Sequence, residues 1–184
     1  MGRSKRSWSP NHFYHVVMRG NRRDALFREP TDFTTYLHIL ETVHDKAPFE
    51  LASYCLMTNH LHLLIRSHSQ PLSKVMSLLN KRYANYYNTR YRLTGHVYEK
   101  RYYSKIVDSK EGMLEVSRYI HLNPVEARMV ESPEQYTWSS YRFFLDHPII
   151  LPPSYMKTYI LLDYFTGSPE ARKRKYWEWC LSLD

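Results

Sequence analysis

Residues that alternate between hydrophobic and polar with a period of two mark the predicted strands of the chain. Stretches rich in aromatic and β-branched residues predict strands at 12–19, 49–56 and 60–66. The last two are separated only by a short Thr-Asn turn, which predicts a hairpin. A fourth strand is predicted at 97–107. These four segments are expected to form one antiparallel sheet.

Hydrophobic residues spaced three or four positions apart predict the helices. Thr31 can cap a helix that runs to about Lys46, and a long amphipathic helix follows at 72–90. A third helix is predicted from Asp108, as its cap, to about Asn123, because the proline that follows disfavours helical geometry in the residue before it.

The order of these elements predicts an α+β fold. Strand, helix, strand, strand, helix and strand in succession are typical of a ferredoxin-like, or split β-α-β, sheet, which a further helix follows here. The first two helices would cover one face of the sheet and leave the other face open for a site. Prolines then mark a linker, so we expect a catalytic domain over residues 1–146 and a small helical extension over residues 147–184.

The composition narrows the class of partner. Lys and Arg number 26 against 18 Asp and Glu, which gives the 184-residue chain a net charge of +8 and favours a polyanion such as nucleic acid or an anionic membrane surface. Neither a membrane span nor the apolar core of a signal peptide is visible, so a cytoplasmic protein is expected. Cys55 and Cys180 are far apart, which excludes a disulfide framework and a zinc knuckle.

Two histidines in the third predicted strand are the first candidates for chemistry. Side chains alternate between the faces of a strand, so His60 and His62 lie on the same face, while the intervening leucines point to the core. Two adjacent imidazoles can share a divalent cation, and such a cation can polarise a phosphate oxygen. The alternative is a pair of unrelated surface histidines.

The segment SRYIHLNP supplies the second group of candidates. Tyr119 and Asn123 are four residues apart on one side of the predicted helix. Tyr119 offers a phenolic oxygen as nucleophile, and Asn123 offers an amide oxygen as a third metal ligand. Phosphate chemistry without cysteine ligands favours Mg²⁺ or Mn²⁺ over zinc. The alternative is a tyrosine at the core edge and an asparagine at the helix end; His121 is a weak candidate for proton acceptor, since it points away from Tyr119.

Five segments in this order resemble the REP-associated tyrosine transposases, which belong to the small single-tyrosine transposases with a His-hydrophobic-His (HUH) motif. The resemblance covers roughly residues 8–145, and its segments are FYHVVMRGNRRDALF, YCLMTNHLHLLI, KRYANYYNTRYRLTGHVYEKRY, SRYIHLNPVEARMV and YTWSSYRFFL. Each motif alone is weak, whereas all five in this order are highly specific. Glu126 and Arg128 depart from the family pattern, which has a basic residue and a glycine at these positions.

The resemblance implies a fold, a substrate and roles for four residues. It implies a ferredoxin-like catalytic domain acting on single-stranded DNA that contains a hairpin, bound beside a short guide sequence. His60 and His62 match the metal-binding pair, Asn123 matches the third ligand, and Tyr119 matches the nucleophile that forms a 5′-phosphotyrosine. Rejoining would need no nucleotide cofactor, because the covalent intermediate keeps the phosphodiester energy.

Basic and aromatic residues outside this group are candidates for DNA contacts, through phosphate neutralisation and base stacking. For each basic residue the alternative is ordinary solvation. The candidates lie in an N-terminal arm, on the long helix, on the fourth strand and in the tail: Arg3, Lys5, Arg6; Lys74, Lys81, Arg82, Arg90, Arg92; Tyr98, Arg101, Tyr102; Arg172, Lys173, Arg174, Lys175.

The function expected from the sequence is therefore a metal-dependent single-strand DNA endonuclease and strand-transferase that cleaves near hairpins. Two alternatives remain open. One is a non-catalytic protein that binds DNA or RNA hairpins on a basic sheet face, and the other is a metal nuclease that uses water as its nucleophile. The sequence also leaves monomer and homodimer open.

Overall fold

Four strands form a single antiparallel sheet in the computed structural model, which describes residues 8–147 and 150–182. The order across the sheet is β2-β3-β1-β4, as in a ferredoxin-like fold, and β1 and β3 are its central strands. The strands are β1 (Phe13–Arg19), β2 (Glu50–Met57), β3 (His60–Arg66) and β4 (Tyr103–Val107). The predicted α+β, ferredoxin-like fold class is confirmed.

The fourth strand is shorter than predicted. Only Tyr103–Val107 pairs with β1, whereas the 97–107 segment was predicted as a strand throughout. Upstream, Tyr98 makes one isolated bridge to Gly20. Between the pairs Val17/Tyr103 and Gly20/Tyr98, the chain advances three residues on the β1 side and five on the other side, so two extra residues interrupt the ladder. The Glu99 amide still donates a hydrogen bond to the Arg19 carbonyl.

Two helices, α1 (Pro30–His44) and α2 (Leu72–Tyr91), cover one face of the sheet. They pack against each other through Tyr36 and Tyr83, and Asn80 of α2 contacts Met18 of β1 on this face.

The start of α1 differs from the predicted Thr31 cap. Glu29 is the N-cap, Pro30 occupies the first turn, and Asp32 completes a capping box. The carboxylate of Asp32, which is fully buried, also accepts hydrogen bonds from the Tyr86 and Tyr91 hydroxyls of α2.

The other face is only partly open, contrary to prediction. Helix α3 (Lys110–Glu126) crosses it mainly over β2 and β3. Ser109, not Asp108, is its N-cap and accepts a hydrogen bond from the Gly112 amide. The helix also continues past Pro124, so the predicted end at Asn123 is wrong.

The C-terminal region adds α4 (Tyr159–Leu162) and α5 (Pro169–Leu181). Its apolar residues Tyr155, Met156, Leu161 and Tyr176 belong to the same hydrophobic core as the sheet. The backbone of Leu51, on the β2 edge, bonds to Tyr155 and Lys157 of this region. The boundary between a 1–146 domain and a 147–184 extension stays a prediction. Of the helices within the described ranges, none is both long and apolar enough to span a membrane.

Candidate active site

The two histidines of β3 lie on the sheet face that α3 partly covers. His60 and His62 pair across the sheet with Arg19 and Val17 of β1, and their ring centroids are 5.0 Å apart. His62 is almost completely buried and His60 is half-buried. The alternation that the sequence predicted therefore places both imidazoles side by side.

Each of these imidazoles has its Nδ1 atom engaged. Nδ1 of His60 lies 2.8 Å from Oδ1 of Asn59, and Nδ1 of His62 lies 3.0 Å from Nε2 of His15. In contrast, Nε2 of His62 is buried and has no hydrogen-bond partner within the described residues. A buried polar atom without a partner is costly unless something else binds it.

Burial keeps these rings in their neutral form, which is the form that binds metals. It lowers the pKa of His62 to about 2, with further contributions from His60, His15 and Arg19. The pKa of His60 and that of His15 are also lowered, chiefly by burial; for His15, nearby Lys105 adds to the effect.

Helix α3 brings the other two predicted residues to the same place. Oδ1 of Asn123 lies 3.3 Å from Nε2 of His60. The ring of Tyr119 packs edge-on against His62 and His15, with centroid distances of 5.4 and 5.9 Å, and 43% of the tyrosine is exposed. Residues four apart on a helix thus reach the two imidazoles from one side.

The donor set fits a divalent cation. Asn123 supplies an oxygen next to Nε2 of His60, and Nε2 of His62 is unpartnered. Within the described part of the chain, no group of three or more His, Cys, Asp or Glu side chains could hold a metal. A metal centre here would therefore consist of two imidazoles and one amide, which leaves coordination positions for phosphate oxygens and water.

A cleft of about 540 Å³ lies between α3 and the uncovered part of the sheet. Four basic residues and one acidic residue line it together with His15, His62 and Tyr119. Its lining residues are His15, Val17, Arg19, Arg23, His62, Glu99, Lys100, Arg101, Tyr103 and Tyr119. Of the predicted DNA contacts that fall within the described residues, Arg101 alone lines this cleft.

The basic residues of α2 lie on the opposite side of the sheet. Lys74 and Lys81 are exposed there, and Arg82 donates a hydrogen bond to Thr42 of α1. Arg90 forms an ion pair with Glu29. Arg92, the C-cap of α2, is exposed in a left-handed conformation.

The remaining DNA-contact candidates are dispersed. Tyr98 is partly buried and Tyr102 is buried, so neither ring is free to stack on a base as it stands. In the tail, three of the four basic side chains bond within the protein, and Arg174 is exposed. The partners are Asp163 for Arg172, the Leu145 carbonyl for Lys173 and Thr166 for Lys175. Arg3, Lys5 and Arg6 lie outside the described residues.

Sequence reasoning missed several residues of the site. His15, Asn59, Arg19 and Arg23 were not singled out, although His15 and Arg19 share a face of β1 by simple alternation. His121, the weak candidate for proton acceptor, is fully buried away from the cleft, and both of its ring nitrogens are bonded.

Comparison with known proteins bears on this arrangement. No curated protein matches the chain. A solved structure described as a REP-associated tyrosine transposase bound to a REP hairpin matches with a TM-score of 0.68 and 16% identity, over 82% of this chain and 89% of that one. A Deinococcus radiodurans R1 protein named as a candidate transposase matches with a TM-score of 0.45 and 15% identity, over 65% of this chain and 95% of that one.

A family model connects the sequence with this fold. The model described as "Transposase IS200 like" matches residues 9–123, a range that begins before β1 and ends at Asn123. It therefore includes the whole sheet, both histidines of β3 and Tyr119. Because this match spans well over half of the sequence, the chain belongs to the IS200-like transposase family.

Proposed function

We propose that the protein is a metal-dependent single-strand DNA endonuclease and strand-transferase in which Tyr119 forms a 5′-phosphotyrosine with the DNA. The observation that carries this proposal is the packing of Tyr119 against His62 within a cation-lined cleft. A phenol can act as the nucleophile of a covalent phosphoryl transfer, and two imidazoles with an amide oxygen can hold the metal that assists it.

The reaction is a transesterification. Tyr119 loses its phenolic proton to solvent as its oxygen attacks the phosphorus. The bond from phosphorus to the 3′-oxygen breaks, and the leaving oxygen takes up a proton from solvent to become a 3′-hydroxyl. One phosphodiester replaces another, so a second 3′-hydroxyl can later displace Tyr119 without a nucleotide cofactor. Glu99 is the one acidic residue among those that line the cleft. The four basic residues of the cleft favour the approach of a phosphate backbone.

His60, His62 and Asn123 would hold Mg²⁺ or Mn²⁺, which would withdraw charge from a phosphate oxygen in the transition state. The oxygen of Asn123 supports a hard cation of this kind, and the buried thiol of Cys55 does not line the cleft.

The substrate we propose is single-stranded DNA next to a hairpin. The structural relative described as bound to a REP hairpin has the same fold and supports a hairpin partner. Tyr119 and His62 of one chain lie together, which supports cleavage by a monomer, and a homodimer is compatible with the same arrangement. The expected place of action is the cytoplasm.

A denaturing gel tests this function directly. Labelled single-stranded hairpin DNA is incubated with the protein and Mn²⁺, and a covalent protein–DNA band is expected. Tyr119→Phe should abolish the band because it removes the nucleophilic oxygen. His62→Ala or chelation of the metal should also suppress it.

The cleft offers a matched control tyrosine. Tyr103 also lines it and is 60% exposed, but it does not pack against His62. Tyr103→Phe should therefore still form the covalent band. Cleavage by Tyr119→Phe without an adduct would indicate water as the nucleophile, and hairpin binding without any metal-dependent cleavage would indicate a non-catalytic binder.

A further inference from the structure

The turn that follows β1 carries arginines that line the candidate active site. Arg19 ends β1 opposite His60, and Arg23 follows four residues later; both line the cleft with Tyr119. Between them, Arg22 is also exposed but does not line the cleft. Of the two adjacent arginines in this turn, Arg23 therefore lines the candidate active site and Arg22 does not.

The backbone of this turn is held in an uncommon conformation. Arg22 and Arg23 have successive positive φ angles of 52° and 65°, which side chains other than glycine seldom adopt. Gly20 is required nearby, because a Cβ atom there would lie 2.1 Å from the carbonyl oxygen of Asp24. Such a conformation persists only where the surroundings determine it, and such sites are often functional.

The surroundings that determine it are the elements of the active site. The Gly20 amide donates to the Asn59 carbonyl at 2.9 Å, and the Asn59 side-chain amide lies 3.4 Å from the Arg23 carbonyl. The same Asn59 side chain accepts a hydrogen bond from Nδ1 of His60 at 2.8 Å. One asparagine therefore ties the arginine turn to a candidate metal ligand.

We propose that Arg19 and Arg23 form a phosphodiester-binding clamp for the strand that is cut. Guanidinium groups match phosphate oxygens in planar, bidentate geometry. Because Asn59 fixes the turn relative to His60, a phosphate bound by the clamp is also fixed relative to the metal ligands. This inference rests on the proposed function and names the residues that hold the substrate in it.

The two adjacent arginines provide a matched test. Arg22→Ala and Arg23→Ala each remove one exposed arginine at a positive φ angle, but only the second removes a cation from the cleft. The affinity of each variant for a fluorescent single-stranded hairpin oligonucleotide is measured by anisotropy at several salt concentrations. Metal is chelated in these measurements, so that no cleavage occurs.

We expect Arg23→Ala to lower the affinity roughly tenfold. It should also reduce the slope of log affinity against log salt by about 0.7. Arg22→Ala should keep the wild-type affinity and slope. Arg23→Lys should keep the wild-type salt slope, because the positive charge remains. It should bind more weakly than wild type, because lysine lacks the planar guanidinium that donates two hydrogen bonds to one phosphate. Equal behaviour of the two alanine variants would overturn the clamp, whether both bind as wild type or both are weakened.

This outcome is separable from the fate of the proposed function. A Tyr119-dependent covalent band together with equal alanine variants would leave the enzyme standing and remove only the clamp. If Arg23→Ala binds more weakly than Arg22→Ala but no covalent band forms with the wild-type protein, the turn binds phosphate and the proposed cleavage is wrong. Thermal unfolding of both variants shows whether either has lost the fold.

Discussion

At the scale of single residues, the imidazoles of His60 and His62 each have a polar partner at Nδ1. Asn59 engages Nδ1 of His60 and His15 engages Nδ1 of His62, so Nε2 is the nitrogen left for a metal in each ring. For this to hold at His62, its Nδ1–H must donate to Nε2 of His15, which then carries its own proton on Nδ1. Partners of this kind fix the tautomer and orientation of metal-binding histidines.

His15 should therefore act as a positioning residue for the metal. His15→Leu removes the acceptor for His62 and should weaken Mn²⁺ binding roughly 10–100-fold. His15→Gln supplies an amide oxygen as a substitute acceptor and should recover much of that loss. Isothermal titration of the protein with Mn²⁺ alone measures both effects.

The control for this prediction is His38→Leu. His38 is a mostly exposed histidine on α1, on the far side of the sheet, and should not influence the metal. Unchanged Mn²⁺ affinity in His15→Leu, or an equal loss in His38→Leu, would show that His15 does not orient His62.

Strand and helix periodicities predicted that His60 and His62 share one face and that Tyr119 and Asn123 share one side of their helix. That the two pairs form one site was implied by the family resemblance. Their chemical roles are proposals that await experiment. The sequence could not predict the pairing of His15 with His62. That contact depends on the antiparallel register of β1 and β3, which places Val17 opposite His62 and His15 one step along the same face.

At the scale of elements, local periodicity predicted the strands and helices well where each is amphipathic. The wrong element boundaries occur where contacts with other parts of the chain determine where a strand or helix begins or ends. Strand β4 begins only at Tyr103 because two extra residues, relative to β1, lie between Tyr98 and Tyr103 and interrupt the ladder. Helix α3 continues through Pro124, where both Asn123 and Pro124 are buried, and we infer that this burial outweighs the local disadvantage of proline.

The turn after α3 illustrates the same point. The family pattern has a glycine where this chain has Arg128, and Arg128 adopts a φ angle of 57°. The left-handed conformation that glycine favours is therefore kept even though an arginine occupies the position.

The placement of α2 and the cleft on opposite faces predicts which cations bind the strand. Arg101 lines the cleft, whereas Lys81 is exposed on the outer side of α2. Arg101→Ala should weaken single-strand binding and reduce the salt slope by about 0.7, because a phosphate contact is lost. Lys81→Ala should change neither quantity. Anisotropy titrations at several salt concentrations measure both quantities. A larger loss of affinity in Lys81→Ala than in Arg101→Ala would place the DNA on the face covered by α1 and α2.

At the scale of the whole molecule, a buried polar network joins the C-terminal helix to the helix that carries Tyr119. The Tyr176 hydroxyl of α5 lies 2.8 Å from Nδ1 of His121 and donates to Ser117 at 3.0 Å. Nε2 of His121 lies 2.8 Å from the hydroxyl of Ser140, which in turn accepts a hydrogen bond from the Tyr54 amide of β2. The position of α3 over the sheet thus depends on residues far along the chain.

Burial makes this network costly to break. Tyr176 and His121 are both fully buried, and burial lowers the pKa of His121 to about 3, so the ring is neutral and needs only these hydrogen bonds. Removing the Tyr176 hydroxyl leaves Nδ1 of His121 buried without its hydrogen-bond partner, at a cost of about 1–3 kcal/mol. The network therefore contributes to stability and to the placement of Tyr119 at once.

Tyr176→Phe tests both contributions. It keeps the ring that stacks on Phe144 but removes the hydroxyl, so the free energy of unfolding in urea should fall by about 1–3 kcal/mol. Tyr159→Phe is the matched control, since Tyr159 is 52% exposed in the same C-terminal region and should change stability by less than about 0.5 kcal/mol. If α5 positions α3, Tyr176→Phe should also slow formation of the covalent band at a temperature where the variant is fully folded. A stability loss without any slowing would confine the network to a structural role, and equal stability of the two variants would show that the hydroxyl contributes nothing to the fold.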